Sequence, residues 1–325
     1  MKLQQLRYLC GIADQGLNLS KAAEALYTSQ PGISRQIRLL EEELGIDVLV
    51  RQGNRIAALT EPGRHVVEIA RRVLRDIESL RSVGEDFANE NSGALVVATT
   101  HVHARYLLLP VVRAFNKRFP NVRLSLRQGN PDQIVELVNA GTADIGLCSV
   151  PTLETPLLTR LPCYEVPRCV LVPSGHPLLR KRRLRLADLA SYPMITLDRS
   201  FASGVAVMSA FSEQSIEPNV ILSATDADVI KAYVAAGVGI ATVPEVAFDS
   251  TKDRSLRAIN ARHLFAPTIS YVWVHRNQYL RGFAYEFIRM LSSKWTRSTV
   301  ERVMQSGEAP DASMTIVPLA HKSSA

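Results

Sequence analysis

The sequence predicts two kinds of fold in one chain. The N-terminal part reads as an all-α winged helix-turn-helix followed by a long linker helix. The C-terminal part reads as an α/β domain of two subdomains. Three observations carry this. Three short helical patterns and a hairpin pattern fill residues 1–60. An unbroken heptad pattern runs from Val66 to Phe87. Beyond Gly93, strand and helix patterns alternate.

Residues 3–15 place Leu3, Leu6, Leu9, Ile12 and Ala13 on one side, and Gly16 stops the helix. Ser20 is the expected N-cap of a short helix whose Ala22, Ala23 and Ala25 permit close helix crossing. Thr28 leads into a third helix. Ser29 caps it, which puts Gln30 and Pro31 in its first turn, where a missing N–H costs nothing. Ile33, Ile37, Leu40 and Leu44 then form one narrow apolar stripe. Pro31, Ser34, Arg35 and Arg38 fall on the opposite face, and Gly45 ends the helix.

The runs Val48–Val50 and Ile56–Leu59 flank Arg51, Gln52, Gly53, Asn54 and Arg55, the pattern of a hairpin with a basic tip. Thr60 caps a long helix with Pro62 early in it. Val66, Ala70, Val73, Ile77, Leu80, Gly84 and Phe87 alternate in steps of four and three, a seam that asks for a partner helix. Dimerisation through Val66, Ala70, Val73, Ile77 and Leu80 is the expectation; packing against the chain's own other domain is the alternative. Asn89–Gly93 marks a linker, giving segments 1–60, 61–92 and 93–295, with a polar extension, helical or disordered, over 296–325.

Within 93–295, strands are expected at Leu95–Ala98, Val122–Leu126 and Ala143–Cys148, with helices near Leu107–Phe119 and Gln133–Asn139. That alternation implies a parallel sheet. A second run begins near Cys169–Val172 and continues through Met194–Thr196, Val220–Ser223 and Val238–Val243. Strand Ile269–Val274 and a helix around Phe283, Phe287 and Leu291 come last. Two such halves suggest a ligand cleft between them, at the carboxyl ends of strands.

Composition narrows the function classes. Hydrophobic residues make up 46% of 325, enough for a core without staples. The net charge of +7 favours an anionic partner. Residues 1–60 hold seven Lys/Arg against six acids, so any nucleic-acid contact there depends on where charges sit. Cys10, Cys148, Cys163 and Cys169 have no zinc spacing and read as buried thiols. The N-terminus lacks the apolar run of a signal peptide, and Val234–Val243 is too short to span a bilayer, so a cytoplasmic protein without membrane contact is expected. The chain has no Gly-rich phosphate loop, nucleophile elbow or carboxylate pair, so no enzyme, catalytic residue or cofactor is expected.

The helix-turn-helix has a direct chemical reading. Its second helix would enter a DNA major groove by its N-terminus. Gln30 suits adenine, and Arg35 suits guanine or a phosphate. Arg38 is placed for the backbone, and Glu41–Glu43 would be held away from phosphates. Arg51, Asn54 and Arg55 at the wing would reach a minor groove or phosphates. With Thr28, Ser29, Pro31 and Ser34 these are the candidate DNA-binding residues.

The stretch "LSKAAEALYTSQPGISRQIRLLEEELGIDVLVRQGNRIAALTEPG" resembles the DNA-binding domain of LysR-type transcriptional regulators. "MKLQQLRYL", "ATTHVHARY", "QGNPDQI", "LPCYE" and "SATDADVIKAYV" are similar to the CysB-like branch, and together they cover Met1 to about Leu291. The resemblance implies a periplasmic-binding-protein-like effector domain, dimers and tetramers on dyad promoter DNA, and RNA polymerase as a further partner. It implies control of sulfur assimilation, sulfonate or sulfate-ester use, or cysteine supply. The effector would be a sulfate-like anion, an acetylserine-like molecule or a sulfonate-related one.

The family's cleft pattern maps onto Thr100, His103 and Ser149, and Gln128 and Thr225, at further strand ends, are candidate wall residues. Val102 and His103 replace the usual threonine and glutamine, Ser149 preserves a hydroxyl, and Ala202 loses one. An added titratable imidazole with fewer hydroxyls suggests a different effector, or one bound with different pH dependence. His101 and His103 alone make a weak metal pair, and no metal is expected. The run "RKRRLR" at 180–185 reads as a solvated basic loop. Competing readings are a regulator of another pathway, a cytosolic solute-binding protein, and an α/β enzyme with an accessory domain.

Overall fold

The structure, a computed structural model, describes residues 1–53, 55–88, 91–150, 152–153, 155–307 and 317–318. It divides into two compact units, Met1–Gly84 and Glu85–Ala325.

The first unit contains α1 (Leu3–Asp14), α2 (Leu19–Ala25), α3 (Gln30–Leu44), the hairpin β1 (Leu49–Gln52) and β2 (Arg55–Leu59), and most of α4 (Glu61–Ala88). Leu9, Ile12, Ile33, Ile37, Leu40 and Val48 are completely buried in one core. Burying each aliphatic side chain contributes roughly 1.5–3 kcal/mol, so the inner face of α3 is what fixes its position. Leu3 and Leu44, expected inside, are exposed at the helix ends. The cap of α2 is Asn18, not Ser20: its side chain accepts the Lys21 N–H at 3.0 Å.

The start of α4 is tied to the wing. Thr60 Oγ1 donates to the Asp47 carbonyl at 2.7 Å and accepts the Gly63 N–H at 2.9 Å. A Cβ at Gly63 would lie 2.0 Å from the Val48 carbonyl oxygen, so only glycine admits this approach.

The predicted seam of α4 is partly spent within its own unit. Val66, Ala70 and Val73 pack on the N-terminal core together with Val67 and Leu74. At about 100° per residue, a neighbouring row is displaced from that face. Ile69, Leu80 and Phe87 lie on it, exposed by 51%, 72% and 89%. The unpartnered apolar row therefore begins at Ile69 rather than Val66.

In the second unit, one sheet contains β3 (Ser92–Thr99), β4 (Asn121–Gln128), β5 (Ile145–Cys148), β6 (Leu158–Val166), β12 (Thr268–His275) and β13 (Val317–Pro318), in the order β13-β6-β12-β5-β3-β4. The other contains β7 (Arg168–Pro173), β8 (Met194–Leu197), β9 (Val220–Ala224), β10 (Ile240–Pro244) and β11 (Leu256–Asn260), ordered β11-β7-β10-β8-β9. Each sheet is mixed rather than parallel: β12 runs antiparallel to β5 and β6, and β7 antiparallel to β10. The chain leaves the first sheet at Val166, enters the second at Arg168, and returns at Thr268. The last predicted strand therefore belongs to the first subdomain.

Strand β6 had no expectation attached to it. Pro162 interrupts its pattern, yet it pairs with Tyr271 beside a register shift at Ser270/Tyr271, where a missing N–H is tolerated. The helices are α5 (Leu108–Arg118), α6 (Pro131–Asn139), α7 (Leu186–Ala190), α8 (Ala202–Glu213), α9 (Ala227–Ala235), α10 (Gly282–Leu291) and α11 (Arg297–Ser306). Helix α11 buries Val300, Val303 and Met304 in the first subdomain's core, so the extension expected from residue 296 is structural through Ser306. Most of the remainder, 308–316 and 319–325, lies outside the described residues. Among the described residues no helix is long and apolar enough to cross a membrane.

Candidate nucleic-acid interface and effector cleft

The outer face of α3 follows from its start. Ser29 Oγ accepts the Gly32 N–H at 3.2 Å and Ser20 Oγ reaches Gln30 Oε1 at 3.3 Å, so Gln30 is held at the helix tip. Gln30, Pro31, Arg35 and Arg38 are exposed; Thr28 and Ser34 are half-buried beside them. Neither arginine has an acidic partner among the described residues. A row of polar groups with free hydrogen-bonding capacity, on a helix locked by three buried aliphatic residues, is suited to base edges and phosphates.

Two features of this face differ from expectation. Glu41, expected only to be held away from phosphates, is buried. Its Oε1 accepts the Val48 and Leu49 N–H groups at 3.0 and 3.2 Å, and its carboxylate takes the Arg51 guanidinium at 2.6 and 3.2 Å. Arg51 therefore braces the wing to α3, and of the expected wing cations Arg55 has no acidic partner among the described residues. Asn54 lies outside the described residues. Sequence reasoning also missed Tyr27, which is 98% exposed just ahead of α3 with φ +51°. A large aromatic in the left-handed region, presented to solvent, was readable only as an odd residue in a short connection.

The second site is a cleft between the two sheets of the effector unit. It is lined from the first subdomain by Thr100, His101, Val102, His103, Leu107, Ser149, Thr268 and Ser270. Val166 lies at the crossover, and Leu197, Phe201, Ser203, Thr225 and Pro244 line it from the second subdomain. Its cavity is small, about 40 Å³, room for roughly three waters. Thr100, His103, Ser149 and Thr225 are thus brought together as expected. Gln128 is not: it sits exposed at the end of β4, away from the lining. Ala202 contributes no hydroxyl, but the adjacent Ser203 does, and Ser270 and Thr268 add two more. Ser270 was concealed in the apolar run of β12, where every second residue faces one side.

His103 begins a five-residue π-helical turn, His103–Leu107, which swings it inward. Its Nδ1 lies 2.5 Å from Thr100 Oγ1 and its Nε2 2.5 Å from Ser270 Oγ. Burial lowers its pKa from 6.5 to about 4. The imidazole is therefore neutral at physiological pH and spans two hydroxyls, which corrects the expectation of a titrating cleft residue. His101 points elsewhere, with Nε2 at 3.3 Å from Asp226 and 3.2 Å from Asp228, so the two histidines do not converge. The His101, Asp226 and Asp228 ligand atoms lie within 4.8 Å of one another. Arg105 and Lys231 already engage Asp228 at 2.8 and 3.1 Å, which makes the group an ion-pair cluster rather than a cation cradle.

The four cysteines are buried, and burial raises every thiol, Cys10 to about 11 and Cys163 and Cys169 to about 12. They stay protonated and act as small core residues. In the basic run 180–185, Lys181 and Arg185 pair with Asp188 while Leu184 anchors the loop in the core.

Residues 3–64 match the model of the bacterial regulatory helix-turn-helix protein, lysR family, and residues 88–296 match the LysR substrate binding domain. The chain is 40% identical over 309 residues to the HTH-type transcriptional regulator CysB of Burkholderia cenocepacia, covering 95% of this chain and 98% of that one. It is 43% identical over 292 residues to the regulator SsuR of the same organism, covering 90% and 95%. It is 38% identical over 309 residues to the regulator cbl of Escherichia coli, covering 95% and 98%. Among solved structures, the cofactor-binding domain of the Cbl transcriptional regulator aligns with a TM-score of 0.63 at 35% identity, over 66% of this chain and 95% of that one. Full-length CbnR complexed with its target DNA aligns at 0.58 and 25%, over 90% and 99%.

Proposed function

The chain belongs to the LysR family of DNA-binding transcriptional regulators, in its CysB-like branch, and from that premise we propose that it reads dyad promoter DNA through α3 and the wing and reports the occupancy of its cleft. The observation that carries the DNA reading is the outer face of α3, where Gln30, Arg35 and Arg38 stand exposed on a helix fixed from behind. The genes it governs serve sulfur assimilation, sulfonate or sulfate-ester use, or cysteine supply; similarity to CysB, SsuR and Cbl regulators supports this. Dimers form along the free row of α4 from Ile69 through Leu80 to Phe87 and associate further into tetramers, with RNA polymerase recruited on the bound promoter in the cytoplasm.

The effector is a small anionic molecule held by hydroxyls from both subdomains. A second reading concerns its identity. Val102 is apolar, His103 already engages Thr100 and Ser270, and the hydroxyls left for an effector, on Ser149, Ser203, Thr225 and Thr268, stand at other places than the family pattern has them. The effector is therefore not acetylserine. Mobility shift of a dyad promoter fragment, titrated separately with acetylserine, sulfate and alkyl sulfonates, tests both. Absence of any shift with the protein alone overturns the DNA reading. Micromolar acetylserine changing the complex overturns the second.

A further inference from the structure

One face of the stretch after β3 lines the cleft, and its other face is charged. Thr100 and His103 turn inward. Arg105 and Tyr106 turn toward α9, which belongs to the opposite subdomain, and His101 does both. All three converge on one carboxylate. Tyr106 donates its hydroxyl to Asp228 Oδ1 at 2.7 Å, Arg105 Nε lies 2.8 Å from Oδ2, and His101 Nε2 lies 3.2 Å from it. Lys231, one turn along α9, adds its ammonium at 3.1 Å and is itself anchored on Asp253 at 3.2 Å. Asp226 caps α9 by accepting the Asp228 N–H at 2.6 Å, so the carboxylate stands on a fixed helix start.

The physical balance favours a charged cluster. Burial pushes the Asp228 carboxyl up, but hydrogen bonds from Tyr106, Lys231 and His101 outweigh it and hold the group below the usual carboxylate range. The Tyr106 ring adds a surface for both cations, with Arg105 5.7 Å and Lys231 5.4 Å from its centroid. A cavity of about 40 Å³ has no room for a molecule of amino-acid size, so the subdomains must part to admit one. Parting them separates Arg105, Tyr106 and His101 from Asp228.

We propose that Asp228 is the clasp of the effector cleft: it gathers three side chains of one subdomain onto α9 of the other and so sets how often the cleft opens, without touching the effector. The inference rests on the cleft being the effector site, but its test needs neither effector nor DNA. Because the closed clasp leaves no room for an effector, it governs how readily one enters.

Hydrogen exchange of the full-length protein measures the opening directly. Asp228→Asn keeps the shape and removes the charge. Exchange of the amides of residues 101–107 and 227–231 is expected to rise about tenfold, while β5 and β8 keep wild-type protection. Tyr106→Phe removes a single hydroxyl and is expected to give a smaller rise, with no further effect in an Asp228→Ala background, where the hydroxyl has lost its acceptor. Unchanged exchange in both segments overturns the proposal. So does a rise spread evenly over both subdomain cores, or additive effects of Tyr106→Phe and Asp228→Ala, since either describes general destabilisation rather than a clasp.

Discussion

The two functional regions handle polar groups in opposite ways. On α3 the polar residues are exposed and uncommitted, with Arg35 and Arg38 lacking any acidic partner among the described residues. At the heart of the cleft Thr100, His103 and Ser270 are buried and already engaged, with His103 spanning the two hydroxyls, while Ser149, Ser203, Thr225 and Thr268 sit nearer the opening, half-buried or exposed. A surface that must meet a long anionic polymer leaves its donors to water, which exchanges quickly. A cleft that must discriminate small molecules keeps its donors bonded to each other, because an unpaired polar group there costs free energy. The first region gains affinity from charge; the second gains specificity from what an effector must displace.

The contrast predicts different consequences for substitutions. The largest belongs to the apolar backing that both regions require. Ile37→Ala removes a completely buried side chain from under α3 and should cost about 2–5 kcal/mol of stability, read from chemical denaturation. A loss below 0.5 kcal/mol would mean that α3 is not fixed from behind.

The next effect separates the cleft from the surface. His103 has its pKa lowered to about 4 in the folded protein, against 6.5 unfolded, so the unfolded chain takes up the proton first as pH falls. The stability this contributes is complete above pH 6.5 and is lost between 6.5 and 4. The total is on the order of 3 kcal/mol, from about 1.4 kcal/mol per unit. Urea unfolding of the effector unit across that range should show the decline, and His103→Gln should flatten it. An identical acid limb in the variant would place the titration elsewhere.

Arg35→Ala, on the surface, should weaken specific DNA binding by about 1–3 kcal/mol while leaving the melting temperature within a degree or so. Equal affinity for the dyad fragment would remove Arg35 from the interface. The smallest effect is at Tyr27. Its φ of +51° disfavours a bulky residue, so Tyr27→Gly should raise stability by about 0.5–1 kcal/mol. DNA affinity falling in the same variant would show that the strained aromatic is kept for contact rather than for folding.

Legibility in the sequence followed the range of the interactions. Ser29 as a cap, Pro31 in the first turn and Gly45 as a stop are all set within a few residues, and the structure has each of them in place. The inward stripe of α3 is likewise a local periodicity. Glu41 escaped because its partners, Arg51 and the Val48 and Leu49 amides, lie seven to ten residues away across a turn. Ser270 escaped for a stronger reason: it meets His103 across 167 residues, through a strand that returns to the first sheet only after the whole second subdomain. Gln128 was assigned to the cleft wall from its strand-end position alone; it lies exposed at the end of the edge strand β4, outside the lining.

By itself, the sequence determined most of the elements in their order, the helix α3 with its exposed polar face, and the family. All of these depend on periodicity and on caps closed over short spans, which chain chemistry settles locally. Tertiary structure alone decided which row of α4 remains free, which hydroxyls share the cleft, that His103 is neutral, and that Asp228 meets Arg105 and Tyr106. Those outcomes depend on burial and on contacts between distant segments, and solvation energies that shift a proton or favour an ion pair exist only once the chain has closed around them.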